Sequence, residues 1–320
     1  MQTWFTRNLL VLCFGMAVSS TAVAQMDAYR VYVEPDGWSI GTNFGLSDLW
    51  GDVGTKSFVS HYTNSGYFDR VAFMGGMFGR YTVHPCFGIR FAANIGSVFA
   101  TDKWNKDLAE VATTQGDDPV QRYLRSQDAK AYMAEGTVLF EFTPRRRNPD
   151  GKKAKKPGQP FIGAGLGFFH FTPYSTVGSS GKWVETYNLN LEGQGWGEDY
   201  PKQYSRWQPC IPLVIGYRWD IGQHLNLGIE YMYRMTFTDY LDGVSGKYVD
   251  PKAFKLHLSE QEAFIAQQVA DKQPYFNNDL PNAPGNLRGN KDNNDGYSTL
   301  SITLYYKVLT RNRTWWRYGK

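Results

Sequence analysis

Strict alternation of apolar and other residues is the sequence feature that most constrains the fold of this chain. Between residues 225 and 237 every second residue, from Leu225 to Phe237, is apolar, and most residues between them are polar or glycine. A period of two is that of a β-strand, whose side chains point alternately to opposite faces, and a helix cannot produce it. The sequence therefore predicts amphipathic strands.

Eight segments of 9 to 14 residues show this alternation, clearly or in weaker form. A tilted strand needs about 9 to 11 residues to cross the hydrocarbon layer of a membrane, so each segment is long enough to span one. Residues 184–191 offer a further hairpin, which leaves a count of ten strands open. The eight predicted strands are residues 38–46, 70–83, 87–99, 131–143, 160–171, 210–219, 225–237 and 298–309.

The first 24 residues have the composition of an export signal peptide. Arg7 supplies a positive charge, residues 9–18 form an apolar run, and Ala22-Val23-Ala24 is a cleavage site of small residues. We therefore expect residues 1–24 to be removed and residues 25–320 to form one exported domain.

An exported chain of eight amphipathic strands can satisfy its backbone in lipid only by closing into a barrel. Beyond the signal, no window approaches 18 consecutive apolar residues, so a membrane-spanning helix is not expected. The predicted fold is all-β: an eight-stranded antiparallel transmembrane β-barrel in the bacterial outer membrane, with long external loops and outer-membrane lipids around it.

A soluble β-sandwich would alternate in the same way. However, aromatic residues make up 16% of the chain, and several stand at strand ends, as in the interfacial girdles of membrane barrels. These residues favour the membrane barrel over the sandwich. They are Trp38, Tyr81, Phe99, Phe168, Phe171, Trp219, Tyr231 and Phe237.

The connections between the predicted strands are alternately short and long. Outer-membrane barrels have short periplasmic turns and long external loops, so both termini are expected in the periplasm. Cys86 and Cys210 then lie at opposite ends of the barrel, and no disulfide is expected, because one requires Cα atoms within about 7 Å. The long connections are residues 47–69, 100–129, 172–209 and 238–296.

Two helix-start signals lie in the long loops. Ser259 and Glu262 have the spacing of a capping box, and Asp118-Pro119 combines a capping residue with a first-turn proline. Short helices are therefore expected in the second and fourth external loops.

Charged residues fall on the inward faces of the predicted strands. The interior of an eight-stranded barrel is narrow enough for side chains to fill, so buried charges must pair with opposite charges. The sequence therefore predicts a salt-bridged plug, with a small diffusion pore as the alternative. The predicted lumen charge network consists of Arg80, Arg90, Glu135, Glu141, Arg218, Glu230, Arg234 and Lys307.

The periplasmic side carries an excess of basic residues, in the turn "RRRNPDGKKAKK" and the tail "RNRTWWRYGK". A basic run is often only a solvated turn, but exposed tryptophans beside it favour contact with a partner or with the bilayer surface. We therefore predict a docking face for a periplasmic protein. Its residues are Arg145, Arg146, Arg147, Lys152, Lys153, Lys155, Lys156, Arg311, Arg313, Trp315, Trp316 and Arg317.

No pattern in the sequence indicates catalysis or metal binding. No cysteine or histidine spacing matches a zinc site. His61, His170 and His257 fall on the external side, but no spacing links them to a particular serine or aspartate. We therefore expect a protein that is not an enzyme, holds no cofactor and binds no nucleic acid.

Several strings, in order along the chain, resemble the barrel family that includes PorG, an outer-membrane component of the type IX secretion system. They include "NFGLSDLWGD", "PFIGAGLGFFHFTP" and "IPLVIGYRW". The most specific are "EGQG" at 192–195 and "TFTDYLDGVS" at 236–245. This chain departs from the family at Gly243, where a second acidic residue is usual, and in its long insert between Pro251 and Asp295.

The resemblance implies an anchoring or assembly component of type IX secretion, whose periplasmic side meets a ring of the PorK and PorN type. Because the family includes paralogues without a demonstrated role in secretion, a structural or surface-adhesion barrel is the alternative. The loop residues that carry the family motif are Glu192, Gly193, Gln194, Gly195, Thr238, Asp239, Tyr240 and Asp242.

Overall fold

Eight long antiparallel strands form a closed barrel in the computed structural model of the protein. The structure describes residues 37–55, 58–64, 66–84, 86–114, 116–144, 158–221, 225–276 and 281–308. The predicted signal peptide lies outside these ranges. The barrel strands are β1 (Gly37–Trp50), β2 (Ala72–His84), β3 (Phe87–Thr101), β4 (Asp128–Phe142), β5 (Gly158–Thr176), then, after the short strand β6 (Trp183–Glu185), β7 (Trp207–Asp220), β8 (Leu225–Thr236) and β9 (Gly296–Lys307).

Antiparallel pairing runs around the whole sheet. Strand β1 pairs with both β2 and β9, and the pairing of β4 with β5 and of β5 with β7 completes the ring. Each barrel strand therefore has two hydrogen-bonded neighbours, which is what a lipid environment requires of a sheet. The predicted eight-stranded antiparallel barrel is confirmed.

Six of the eight barrel strands, all except β2 and β8, extend further toward the external loops than the alternation indicated. Strand β1 continues to Trp50 instead of ending near residue 46, and β5 continues to Thr176 instead of residue 171. At the outer end of β1 consecutive residues on both faces, Ser47 to Leu49, are buried, so the period of two disappears from the sequence. In β5 buried and partly exposed residues still alternate as far as Tyr174.

Residues 184–191 supply no barrel strand. They begin with part of β6, which pairs only with the last three residues of β5, and continue into a 3-10 helix at Tyr187–Leu189. This hairpin stands above the barrel, so the open alternative of ten barrel strands is wrong.

The outer wall of the barrel is an apolar belt. Along β8, exposed apolar residues alternate with buried ones throughout most of the strand. A wall of exposed apolar side chains is stable in contact with lipid chains, and it is the architecture of a barrel that spans a bilayer. The outward residues of this belt include Ile40, Phe44, Met77, Ile95, Phe140, Leu166, Ile215 and Ile302.

Two of the aromatic residues expected at the membrane interface are instead buried beneath the external loops. The Phe99 ring is covered by Trp104 and Trp183, and the Phe171 ring stacks on Tyr204. The expectation was wrong for Phe99 because loop residues cover the outer end of its strand, and for Phe171 because it lies on the inward face of β5, in register with the buried Met133. The other six residues are exposed or half-buried: Trp38, Tyr81, Phe168, Trp219, Tyr231 and Phe237.

The described parts of the external loops contain short helices. Within the described residues, no helix is long and apolar enough to cross a membrane. The capping box predicted from Ser259 and Glu262 is present, with both reciprocal hydrogen bonds. The helix predicted at Asp118-Pro119 also forms, although Asp117 occupies the N-cap position. The helices are α1 (Phe58–Thr63), α2 (Lys106–Glu110), α3 (Asp118–Arg125), α4 (Pro251–His257), α5 (Glu260–Ala270) and α6 (Gln273–Phe276).

The two cysteines of the described chain are unpaired with each other. Cys86 is buried at the turn before β3, whereas Cys210 is buried near the external end of β7. No disulfide joins them, because the strands place them at opposite ends of the barrel, as the alternation of short and long connections predicted.

A lysine on the belt should destabilise the barrel in a membrane. Ile302 is 61% exposed on the outward face of β9, and Ile302→Lys should lower the free energy of unfolding by about 2–4 kcal/mol, the cost of a lysine near the bilayer midplane. Urea-induced unfolding from phospholipid vesicles measures this change. Val111→Lys is the control, because Val111 is 76% exposed in an external loop, and equal effects of the two changes would contradict a lipid-facing wall.

Candidate functional site: a filled lumen beneath an external cap

All eight residues of the predicted lumen charge network are buried inside the barrel. Seven of them take part in two ionic clusters, one around Glu141 and one around Glu135. Lys307, the eighth, is buried near the periplasmic end of β9, opposite Ser39 of β1.

Three arginines from different strands converge on Glu141. Arg80 Nε lies 2.7 Å from Glu141 Oε2, Arg90 Nε lies 2.9 Å from Oε1, and Arg218 Nη2 also contacts Oε2. Arg90 Nη1 also lies 2.7 Å from Glu230 Oε2 across the lumen. The cluster therefore joins β2, β3, β4, β7 and β8 in the periplasmic half of the barrel.

The second cluster surrounds Glu135, closer to the external loops. Arg234 Nη2 lies 2.6 Å from Glu135 Oε1, Tyr297 donates a 2.6 Å hydrogen bond to Oε2, and Asn94 donates one of 2.8 Å to Oε1. Arg234 also donates to Thr299 Oγ1 at 2.6 Å. Glu135 thus has a charged partner and two neutral donors, which satisfies a buried carboxylate without water.

Apolar side chains fill the space around these clusters. Leu139, Phe161, Val214 and Met232 form one buried group in the lumen, and the Arg218 guanidinium lies 3.6 Å from the centre of the Phe161 ring. In the described part of the chain, the lumen is therefore packed with paired charges and apolar groups. This arrangement is a plug, as the narrow interior of an eight-stranded barrel predicts, and it argues against a diffusion pore.

Removing the charge of Glu141 should destabilise the whole barrel. Glu141→Gln keeps the shape of the side chain but leaves three buried arginines without their shared carboxylate, a loss of about 3–5 kcal/mol in the free energy of unfolding. Urea-induced unfolding from vesicles measures it. Glu110→Gln is the matched control, because Glu110 is exposed in α2, where it pairs with Lys106; no difference between the two variants would contradict a structural role of the cluster.

The external loops form a cap above the lumen, and Glu192 of the "EGQG" motif is buried within it. Glu192 accepts hydrogen bonds from the backbone N–H of Ser245 at 2.9 Å and of Gly246 at 2.8 Å. It also pairs with Arg288, whose Nη1 is 2.8 Å from Oε1. Arg288 in turn donates to the Gly243 carbonyl at 2.6 Å. One buried carboxylate therefore ties the third loop to both ends of the fourth.

The remaining residues of the "EGQG" motif shape the turn that presents Glu192. Gly193 and Gly195 have φ of +76° and +78°, in the left-handed region that favours glycine. Gln194 is buried, and its Oε1 accepts the Glu192 N–H at 3.1 Å. All four motif residues therefore act within the cap.

The stretch "TFTDYLDGVS" ends its strand abruptly because its polar residues turn inward to hold the cap together. Asp242 accepts the backbone N–H groups of Val53 and Val244, both at 2.8 Å. The Thr238 carbonyl accepts the Asp295 N–H at 2.9 Å, and the Tyr240 ring stacks on Tyr204 at 4.5 Å. Asp242 is therefore a structural group beneath the loops, not an exposed loop charge.

Asp239, Asp242 and Asp295 form a group of buried carboxylates at the mouth of the barrel. A methyl group added to Gly51 would lie 2.4 Å from Asp295 Oδ1 and 2.6 Å from Asp242 Oδ2, so both carboxylates closely flank this glycine. Burial raises the pKa of Asp239 to about 9 and that of Asp242 to about 7. Burial likewise raises the pKa of Asp295, and the negative charges of its neighbours act in the same direction.

Several groups moderate these pKa shifts. The Ser245 hydroxyl opposes the increase at Asp239, and the Val53 and Val244 N–H groups with the Arg125 charge oppose it at Asp242. The charge of Asp52 adds to the increase at both residues.

Within the described residues, no group of three or more His, Cys, Asp or Glu side chains is arranged to hold a metal ion.

Stability of the cap should fall as pH rises. An aspartate has an unfolded-state pKa of about 3.9, so between that pH and about 9 the folded protein binds more protons at Asp239 than the unfolded chain does, and unfolding becomes easier with each added unit of pH. Asp239→Asn mimics the protonated side chain and should reduce this slope. The free energy of unfolding measured from pH 5 to pH 10 tests it, with Asp199→Asn in an exposed turn as the control; unchanged slopes in both variants would contradict the assignment.

Sequence reasoning did not identify several buried groups that complete the cap. Arg125 pairs with Asp102 at 2.8 Å, and Arg288 pairs with Glu192. Lys272 is fully buried, donating to Thr176 at 2.7 Å and pairing with Asp128. Arg288 and Glu192 are 96 residues apart, and Lys272 and Asp128 are 144 residues apart. Arg125 and Asp102 share the second loop but are 23 residues apart. No local spacing connects these partners, so no pattern in the sequence could have found them.

The predicted periplasmic docking face lies outside the described residues. Its basic turn falls within residues 145–157 and its tail within residues 309–320. The structure therefore gathers the charged residues of the lumen network inside the barrel and, separately, the motif residues within the cap. The docking face stays a prediction.

A closed eight-stranded antiparallel barrel with an apolar outer belt and long external loops defines an outer-membrane β-barrel protein. No protein-family model matches the chain. A comparison with curated proteins also gives no match.

Solved structures similar to this chain are themselves outer-membrane proteins. Neisserial surface protein A has 10% identity and a TM-score of 0.36, over 86% of this chain and 100% of that one. OprG of Pseudomonas aeruginosa has 12% identity and a TM-score of 0.35, over 86% and 98%. Ail, the attachment invasion locus protein of Yersinia pestis, has 10% identity and a TM-score of 0.35, over 85% and 98%, in complex with a heparin analogue. Similarity of this degree does not transfer function.

Proposed function

We propose that the protein is a non-catalytic anchor or assembly component of a type IX protein secretion system, as its resemblance to PorG implies. The observation that carries this proposal is the filled lumen. Because the barrel interior is closed by ion pairs around Glu141 and Glu135, the protein acts through its surfaces and not by conducting a solute.

The family motif gives the proposal further support. Glu192 and Asp242 are buried and bond to backbone groups of other loops, so the motif preserves the architecture of the cap. If this chain and the PorG-like chains share the same cap, they would be expected to resemble one another at Glu192 and Asp242. The contact with the secretion machinery itself is assigned to the basic periplasmic face, with a ring of the PorK and PorN type as the partner.

A second candidate, a structural or adhesion barrel, is favoured by a specific feature of the cap. An open cleft of about 680 Å³ lies on its surface, lined by residues that include Tyr200, Lys247, Tyr248, Leu287 and Lys291. Leu287 is largely exposed there. Exposed apolar side chains beside charged ones are typical of protein contact sites. This surface therefore favours the binding of a protein partner outside the cell.

Deletion of the gene should abolish export of a type IX cargo, and the full chain should restore it. A chain that lacks residues 145–156 should fold into the outer membrane but fail to restore export, because its basic docking turn is missing. Cargo in the culture medium and heat-modifiable migration of the barrel measure export and folding, respectively.

A cap variant provides the matched control for this experiment. Lys247→Glu combined with Lys291→Glu changes the charge of the external cleft and leaves the periplasmic side intact, so it should restore export fully. Normal export in the deletion strain would overturn the secretion role. If, in addition, cells that carry the cleft variant no longer attached to surfaces, the adhesion barrel would be favoured.

A further inference from the structure

Two polar residues occupy outward positions on the barrel wall just above the apolar belt. Asp48 of β1 pairs in register with Ser298 of β9. Phe44 and Ile302, four residues away on these two strands, form a pair on the same outward face that meets lipid. Despite their outward orientation, Asp48 is 2% exposed and Ser298 is fully buried. The outside of the wall is therefore covered at this level.

The cover is the first external loop, which folds down over the outside of the barrel. In α1, His61 Nε2 lies 3.1 Å from Asp48 Oδ1, and the Tyr62 hydroxyl donates to Oδ2 at 2.9 Å. Tyr67, just after α1, donates to Oδ1 at 2.8 Å. The polar atoms of these three side chains thus turn toward the wall and satisfy a carboxylate that would otherwise face lipid headgroups.

Trp50 completes the same cover at the end of β1. Its indole N–H donates to Ser298 Oγ at 2.8 Å, so its polar edge also faces the wall. The flat face of Trp50 stacks on the Phe58 ring, with centroids 5.8 Å apart and planes 9° apart. The ring of Phe58 is thereby fixed on the outer side of the cover.

The outer surface of α1 is apolar and continues the belt. Phe58 is 57% exposed and Val59 is 68% exposed. The Phe58 ring also contacts Tyr231 edge to face, at 6.4 Å between centroids. Tyr231 lies on the outer wall of β8 and pairs in register with Leu300, a belt residue. Phe58 therefore reaches down to the level at which the lipid-facing wall begins.

We propose that α1 is an interfacial anchor whose Phe58 and Val59 side chains insert into the lipids of the outer leaflet. The occupant is lipid because the apolar surface of α1 is continuous with a wall that already faces lipid. Aromatic side chains with one polar edge, such as Trp50 and Tyr62, are stable at the boundary between headgroups and acyl chains. The first external loop thus covers the outward carboxylate of Asp48 and presents the apolar side chains of Phe58 and Val59 to the lipid.

Collision accessibility of a spin label tests the proposal. Val59→Cys is labelled in a background with Cys13, Cys86 and Cys210 replaced by alanine, and the full chain is reconstituted in phosphatidylcholine vesicles. Relaxation by oxygen, which concentrates in the bilayer, is compared with relaxation by a water-soluble nickel chelate. We expect the label at position 59 to collide severalfold more often with oxygen than a label in water does.

Two reference positions define the scale. Phe44→Cys lies in the belt, 62% exposed, and should report lipid; Val111→Cys is 76% exposed in the second external loop and should report water. A label at position 59 that matched position 111 would overturn the proposal, as would one shielded from both reagents, which would indicate that protein covers α1. If Val59→Cys did not fold, Phe58→Cys would provide the same readout on the same surface.

Discussion

Backbone N–H and C=O groups in hydrocarbon must find partners within the protein, and this requirement shapes the whole molecule. It forces the eight strands to close, and closure at this strand number leaves an interior that side chains fill. Charged residues on the inward faces must then pair with one another. The convergence of Arg80, Arg90 and Arg218 on Glu141 follows from this confinement.

The same requirement operates in the cap, where loops bury backbone groups far from lipid. Glu192 and Asp242 serve as acceptors for N–H groups that irregular loop segments would otherwise leave without partners. Asp242 and its neighbours Asp239 and Asp295 are buried and lie close to one another, and both conditions raise their pKa values, burial being the larger cause. The cap is therefore held together by groups that also make it sensitive to alkali.

The alternation of residues was sufficient to predict the eight barrel strands and the inward position of the charges, although it left open an extra hairpin at residues 184–191. It failed at the outer end of β1, because there residues on both faces are buried. Phe99 illustrates this limit: its position in the pattern indicated the membrane interface, but Trp104 and Trp183 enclose it. Pairings such as Arg288 with Glu192 depend on how long loops fold over one another, which no local spacing encodes.

The ion pairs of the lumen join strands that are distant in the sequence. Arg90 and Glu230 are 140 residues apart, and Arg234 and Glu135 are 99 residues apart. A chain with only its first four strands inserted would pair Arg80 and Arg90 with Glu141 but would leave Glu135 without Arg234. The cluster around Glu135 is complete only after β8 and β9 have joined the sheet, so a half-closed sheet holds a carboxylate in its lumen without a counterion, which favours assembly of the barrel as one cooperative unit.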